Sequence, residues 1–433
     1  MQLTKTYEIR LKWAGRAAGA ALLFVILLNA MLPLINLKLG IIELPYLLPA
    51  ITPSGVDFRK GLYYPAKAVL SGESPYLSPA YIYPPFAAVF SIPFRLFTVQ
   101  RAYYILVALL FLFNFASVFL SVQIAESVFP KNRENSSFER GGLFYSVIWG
   151  VSALTLSTYG FIFSVERGNV DIFPIFFSLL GLWVLIKKPG WLWPQVLLVT
   201  IATHLKIYPA VLFVLLLCKH GWKSLLPIFL VNILLLFISG PANGINFIRV
   251  IIQYSNNPYI AVFNHSAASF GSFVNNHLIN SFGLMIPPIL FVLAPVSIWV
   301  VGAYVLWKRK YSPMNAVLLF LLSVPLMNLI PSTSHDYKLV ILSSVVAICV
   351  YFLCLGFAGT GKWRYILLLA ALMGVMYYIT RSYTMLPTML ASKYPFILMM
   401  QGIFLLTVLS TPASLTNPDL ESTIELNSQA DAS

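Results

Sequence analysis

The sequence predicts an all-α polytopic membrane protein with about 12 transmembrane helices. Three observations predict it. Of 433 residues, 59% are hydrophobic and only 10% are charged, which is more apolar surface than a water-soluble domain can hide. The apolar residues form long continuous runs, close to the roughly 20 residues a helix needs to cross a ~30 Å hydrocarbon core, rather than the alternation of barrel strands. The short, dense basic clusters fall in every second loop, as the positive-inside rule requires. Their dispersal also argues against nucleic acid as a partner, despite a formal net charge of +14.

The elements follow in order. Lys5, Arg10, Lys12 and Arg16 precede an apolar run at 17–37 and place the N-terminus in the cytoplasm. No small-residue cleavage site follows that run, so it reads as a span and not a signal peptide. The first outer loop extends to about residue 84 and contains an amphipathic stretch, 58–70, kinked by Pro65. Such a stretch is expected as a juxtamembrane helix lying along the surface. The segment 83–97 is apolar but broken by Pro84, Pro85 and Pro93. It is expected as a partial or re-entrant helix, buried in protein or lining a cavity.

Further spans are expected at 103–125, 143–163, 170–187, 190–204, 208–219, 223–240, 283–307, 314–330, 338–356, 364–380 and 394–411. The cytoplasmic loops then hold Lys131, Arg133 and Arg140, Lys187 and Lys188, Lys219 and Lys223, Lys308 to Lys310, and Lys362 with Arg364. The outer side receives the loop at 166–171, HLKIYP at 204–209, a long loop at 240–281, PSTSHDYK at 331–338 and a last loop at 381–394. Residues 1–412 form one transmembrane domain. Residues 413–433 carry Asp419, Glu421, Glu425 and Asp431 with no basic or aromatic residue, and are expected as a disordered acidic cytoplasmic tail. No internal repeat is visible. The three cysteines, Cys218, Cys349 and Cys354, lie in apolar runs without ligand or disulfide spacing and read as packing residues.

Acids are scarce: fourteen Asp and Glu in all. With the tail and the cytoplasmic Glu8, Glu126, Glu134 and Glu139 set aside, the outer face keeps Glu43, Asp57, Glu73, Glu166, Asp171 and Asp336. Asp57 follows the turn-like Ser54-Gly55 and opens the amphipathic stretch. It is either a plain helix N-terminal acid favoured by the dipole or a carboxylate held toward the membrane for chemistry. Cations are equally out of place on that face, among them Arg59, Lys60, Arg167, Lys206, Arg249 and Lys338. Lys206 by itself suits snorkelling and Arg167 suits a structural pair with Glu166 or Asp171. Taken together, cations from separate spans beside Asp57 suit a phosphate. His335 adds a donor to that set, or else caps the following helix; His265 and His277, in the long loop, are weaker candidates. Five histidines without close pairing make a protein-built metal site unexpected.

With Asp57, GESPY at 72–76, YIYPPF at 81–86, RGNVD at 167–171 and HLKIYP at 204–209, the chain resembles the GT-C superfamily of membrane glycosyltransferases. It is similar to bacterial glycosyltransferase family 87 and to the GPI mannosyltransferase catalytic subunit, over roughly residues 55–215. The resemblance implies a GT-C type fold with its active site on the outer face of a bacterial plasma membrane, and both termini in the cytoplasm. It also implies a polyprenyl-phosphate sugar as donor, mannose being the family's commonest sugar, and a lipid- or cell-envelope-linked acceptor. Asp57 takes the position of the catalytic acid. The eukaryotic relative has a pair of aspartates one residue apart; here the first position is Gly55, which leaves Asp57 alone and weakens the case for a metal.

The expected site is therefore Asp57 as the catalytic base, with Lys206, Arg167, His335 and Lys338 on the donor phosphate. Tyr63, Tyr81, Tyr83, Asn169, Asp171 and His204 are expected to line the sugar or acceptor pocket, with no metal or cofactor. A lone carboxylate suits direct displacement with inversion. The alternative class is a transporter or flippase of lipid-linked sugars, but such proteins place charges at mid-membrane on broken, repeated helices, and here the charges sit at span ends.

Overall fold

The structure is a computed structural model. It describes residues 54–128, 137–256, 264–309, 311–356 and 393–410, with the backbone alone for 137–143, 255, 256 and 354–356. The expected spans at 17–37 and 364–380 and the tail at 413–433 lie outside the described residues, as does Glu43. Among the described residues every regular element is helical, and one isolated antiparallel bridge joins Asn264 to His335.

Helix α1 is a composite of Val56–Phe58, a π turn at Arg59–Tyr63 and Tyr64–Leu70. Pro65 accounts for the wide turn, because it has no N–H to offer the carbonyl one turn back and its ring crowds that carbonyl. The helix is amphipathic as expected: Phe58, Leu62, Tyr63 and Ala66 are buried, whereas Lys60, Tyr64, Lys67 and Leu70 are exposed. The proline-broken segment forms α2, Pro85–Phe90, and a 3-10 turn at Ile92–Leu96. Helix α3, Val99–Val128, is the longest, at about 45 Å.

Helices α4, Ser137–Leu156, and α5, Tyr159–Arg167, meet at a 59° bend. Thr158 makes the break: its backbone is extended and its hydroxyl accepts the Phe161 N–H at 3.3 Å, restarting the helix. Helices α6, Ile172–Lys187, and α7, Leu192–Leu205, then pack as an antiparallel pair. After a 3-10 turn at Tyr208–Leu212 come α8, Phe213–His220, a 3-10 turn at Gly221–Ser224, and α9, Leu225–Leu236.

Residues 208–236 are two apolar helical segments parted by the polar Lys219-His220-Gly221 and Lys223-Ser224, and they double back as the two expected spans require. His220, at the end of α8, bonds Gln195 near the start of α7 at 2.7 Å, whereas Asn232 of α9 bonds His204 at the end of α7 at 3.1 Å. Gly221, at φ 60 and ψ −149, supplies the reversal. The separate segments expected at 208–219 and 223–240 are thus two arms of one hairpin.

The long loop expected at 240–281 is mostly helical. It contains α10, Pro241–Asn256, and α11, Ala267–Phe282. Polar spacing had hidden both, because their apolar residues cover only one face. Then follow α12, Ile289–Lys308, α13, Pro313–Leu329, a 3-10 turn at Asp336–Ile341, α14, Leu342–Gly356, and α15, Tyr394–Ser410. In α13 every residue from Asn315 to Leu329 is buried, so this helix, apolar all round, is the centre of the bundle.

Among the described residues four helical stretches are long and apolar enough, by length and composition, to cross a membrane: Val99–Val128, Ile289–Lys308, Asp336–Leu353 and Tyr208–Leu236, the last being the hairpin α8–α9 and not one straight rod. The bent pair α4–α5 makes a fifth; the other expected spans that are described are apolar helices of 10–17 residues. The bundle has two chemically distinct ends. At one, Lys219 lies 4.2 Å over the Tyr311 ring, the Tyr311 hydroxyl reaches the Leu185 carbonyl, and Gln195 reaches the Lys188 carbonyl. Lys187, Lys188, Lys219 and Lys308 belong to this end. The other end, a helix length of about 24 Å away along α6, holds Asp171 and the cluster described next.

Candidate active site

Two glycines make the junction on which the cluster is built. Gly55 (φ +75) precedes α1 and donates its N–H to the Glu166 carbonyl at 2.7 Å. Gly168 (φ +68) ends α5. A Cβ on Gly55 would stand 2.6 Å from the Tyr103 ring, and one on Gly168 would stand 2.7 Å from Phe58 Cβ and 3.1 Å from Gly55 Cα. Both need the left-handed backbone and the missing side chain. Their contact carries Asp57, the second residue of α1, to Arg167, the last residue of α5.

Arg167 Nη2 donates to Asp57 Oδ1 at 2.6 Å, while Asn169 Nδ2 is a marginal 3.5 Å from Oδ2. The two charged side chains keep 23% and 18% of their surface exposed. Asp57 therefore spends its carboxylate on Arg167 and on the open side, not on the helix N-terminus. RGNVD then makes a tight turn: Ser164 Oγ donates to the Asn169 carbonyl, and Asn169 Oδ1 accepts the Asp171 N–H. Asp171 stands at the N-cap of α6 without capping it. Its carboxylate instead accepts from Lys206 Nζ at 3.1 Å and from the Tyr208 hydroxyl at 2.9 Å.

Lys206 does not snorkel. It stops α7 in extended backbone, its side chain is only 12% exposed, and its ammonium donates to Asn169 Oδ1 at 3.0 Å as well as to Asp171. Burial works against its charge, but Asp171, Tyr83 and Asp57 outweigh that and hold its pKa above the ordinary lysine value. The same ammonium lies 5.1 Å from the Tyr83 ring centre and 5.6 Å from that of Tyr337. Burial raises the Tyr83 phenol, Lys206 opposing the rise and Asp57 and Asp171 adding to it, so Tyr83 stands among all three.

Lys338 completes the group from the 3-10 turn after α13. Its ammonium sits 4.0 Å over the Tyr208 ring, and the residue is 4% exposed. No carboxylate among the described residues forms a salt bridge with it. Arg167 faces Asp57 and Lys206 faces Asp171, whereas Lys338 has no such carboxylate among the described residues. A lysine buried without a carboxylate holds its charge at little cost only when an anion joins it. His335 precedes that 3-10 turn and does not cap it; its ring is edge-on to Tyr337 at 5.3 Å. Burial lowers its pKa to about 4, Asp336 opposing, so it is a neutral imidazole at physiological pH.

The structure thus brings together Asp57, Arg167, Asn169, Asp171, Lys206, Tyr83, His335 and Lys338. Three expected residues have their polar atoms engaged elsewhere. The Tyr63 hydroxyl donates to the Phe97 carbonyl, with Arg95 over its ring. The Tyr81 hydroxyl donates to the Pro84 carbonyl, holding the YIYPPF turn behind Tyr83. His204 pairs with Asn232 in the hairpin. Sequence reasoning missed Tyr208 and Tyr337, whose only signal was adjacency to Lys206 and Lys338. It also missed Lys393, which pairs with Asp336 and stands in front of an ordinary apolar run. Among the described residues no group of three or more His, Cys, Asp or Glu forms a metal-binding cluster.

The model of glycosyltransferase family 87 matches residues 81–332, more than half of the chain. The matched stretch contains Tyr83, RGNVD and HLKIYP; Asp57, His335 and Lys338 lie outside it. A comparison with curated proteins gives no match.

Proposed function

The chain belongs to glycosyltransferase family 87, and on that premise we propose that it moves a sugar, mannose foremost, from a polyprenyl-phosphate donor to a lipid- or cell-envelope-linked acceptor, with inversion, on the outer face of the membrane. One observation carries the reading: a partly open carboxylate, Asp57, stands beside Arg167, Lys206 and a buried Lys338 that has no carboxylate partner among the described residues. Charge supports the outer side: the cluster lies at the opposite end of the bundle from Lys187, Lys188, Lys219 and Lys308, which the positive-inside rule would keep cytoplasmic.

The donor enters from the lipid with its phosphate beside Lys338, Lys206 and Arg167. An acceptor hydroxyl attacks the anomeric carbon from the opposite side as the bond from that carbon to the phosphate oxygen breaks. The hydroxyl proton passes to Asp57 Oδ2, the oxygen that Arg167 leaves free. Polyprenyl phosphate departs with the electron pair, and the three cations, with the N–H of neutral His335, offset its growing charge. A phosphate monoester leaves readily, so no general acid is required. Asn169, Asp171 and Tyr83 stand between the base and the cations, on the side from which the sugar would be approached.

The test is a panel of polyprenyl-phosphate sugars offered to purified protein, with consumption followed by mass spectrometry. Asp57→Asn is expected to lower turnover by at least about 100-fold, the usual share of a positioned base, while donor binding persists. Wild-type turnover in that variant refutes the assignment, and a panel from which nothing is consumed refutes the donor class.

A further inference from the structure

Behind the cation cluster lies a second polar network that the proposed chemistry does not use. Asp336 is fully buried, and Lys393, at the start of α15, pairs with its Oδ2. His265, also fully buried, approaches Asp336 Oδ1 through Nδ1 at 3.1 Å. Because that carboxylate is paired with an ammonium and hence ionised, Nδ1 carries the proton and donates. Nε2 then accepts from the Ser334 hydroxyl at 3.1 Å. Burial pushes His265 below its ordinary pKa, which keeps it neutral.

The order Ser334–His265–Asp336 matches a hydrolase triad, but all three side chains are sealed from solvent and Lys393 neutralises the acid. Nothing can reach Ser334 to be attacked. The network's remaining bonds indicate its role. Asn264 accepts the Ser334 N–H at 2.8 Å and donates to the Ser332 carbonyl at 3.1 Å, while the His265 N–H donates to the Ser334 carbonyl at 2.9 Å. Residues 332–336 are therefore held along both backbone and side chains by the segment that leads into α11. Along this strip, Ser334 and Asp336 point into the network. His335 and Tyr337 point the other way, Tyr337 packing on Phe163 and Lys206. Gly160 of α5 lets the two elements approach closely: a Cβ there would stand 3.1 Å from the Asp336 carbonyl oxygen.

We propose that His265, Asp336 and Lys393 are positioning residues that fix the register of residues 334–338, so that His335, Tyr337 and Lys338 meet the donor phosphate together with Arg167 and Lys206. This rests on the donor-phosphate reading above. Removing one charge of the buried pair strands the other, and the single variants Asp336→Asn and Lys393→Met are expected to fold poorly for that reason. The double variant Asp336→Asn/Lys393→Met removes both charges at nearly constant shape.

The experiment measures binding of polyprenyl monophosphate, without sugar, to the purified full chain by thermal stabilisation. The double variant is expected to fold and to bind about tenfold more weakly, since small misplacement of binding groups is costly. The donor KM should rise by about the same factor, and kcat should fall with it, because the same groups offset the charge that grows on the leaving phosphate. An unchanged dissociation constant in the folded double variant overturns the inference and leaves the network a purely structural tie. If the double variant does not fold, His265→Gln carries the test, because it removes no charge: about tenfold weaker binding supports the inference and unchanged binding overturns it. A wild-type chain that fails to bind polyprenyl monophosphate overturns the donor reading, and this inference with it. A wild type that binds alongside variants that bind equally well overturns the inference alone.

Discussion

Gly55 stands two residues before Asp57, and its surroundings show why no second acid stands there. Its φ of +75 disfavours any L side chain by about 1–2 kcal/mol, and its absent Cβ would overlap the Tyr103 ring. Gly55→Ala is therefore expected to lower the thermal midpoint in detergent by several degrees, because about 1 kcal/mol shifts a domain of 150–250 residues by about 2–4 °C. Turnover should fall with it, since the same junction sets the Asp57–Arg167 contact. An Ala variant with wild-type midpoint and turnover would remove the junction from this account. Asp57 itself was legible in the sequence because acids are so few. Its partner was not: Arg167 lies 110 residues away, and nothing local distinguishes it from a structural mate of Glu166 or Asp171.

At the scale of elements, the hairpin α8–α9 shows what hydropathy can and cannot tell. Lys219 and Lys223 break the apolar content between 208 and 236 and mark a loop, while Gly221 with the pairs His220–Gln195 and Asn232–His204 shows how the chain reverses there. Gly221 has open space where a Cβ would go, but its backbone is in a region that side chains rarely adopt. Gly221→Ala should thus carry pure backbone strain, on the order of 1–3 kcal/mol. The expected result is a lower thermal midpoint with unchanged kinetic constants in the folded fraction; a changed donor KM would mean that the hairpin reaches the site. The amphipathic helices α10 and α11 were read as loop because their polar residues interrupt the apolar run. Each has helical periodicity in its sequence, but its apolar residues are too scattered to form the continuous run that marks a span.

On the scale of the whole molecule, one end of the bundle gathers lysines from three loops, and the other gathers Asp57, Arg167, Lys206 and Lys338. Single cysteines at Lys188, Lys219 and Lys308 are expected to react with a membrane-impermeant maleimide from one side of sealed vesicles, and a cysteine at the exposed Lys60 from the other. Labelling of all four from the same side would place the site at the cytoplasmic surface and refute the outer-face chemistry. Charge segregation of this kind was visible in the sequence, because alternation of basic loops depends only on span order. The network behind the site was not visible, since His265, Ser334, Asp336 and Lys393 come from three separate elements and look unremarkable one at a time.

The sequence by itself determined that the chain is a helical membrane protein and that Asp57 is its most suspect acid, because apolar content and residue scarcity are properties of a linear string. Tertiary structure alone decided which scattered cations stand beside that acid, that Tyr63, Tyr81 and His204 are engaged elsewhere, and that Asp336 faces Lys393. The physical reason is that burying a charge far from water is tolerated only where a partner arrives, and which partner arrives is set by how distant helices pack.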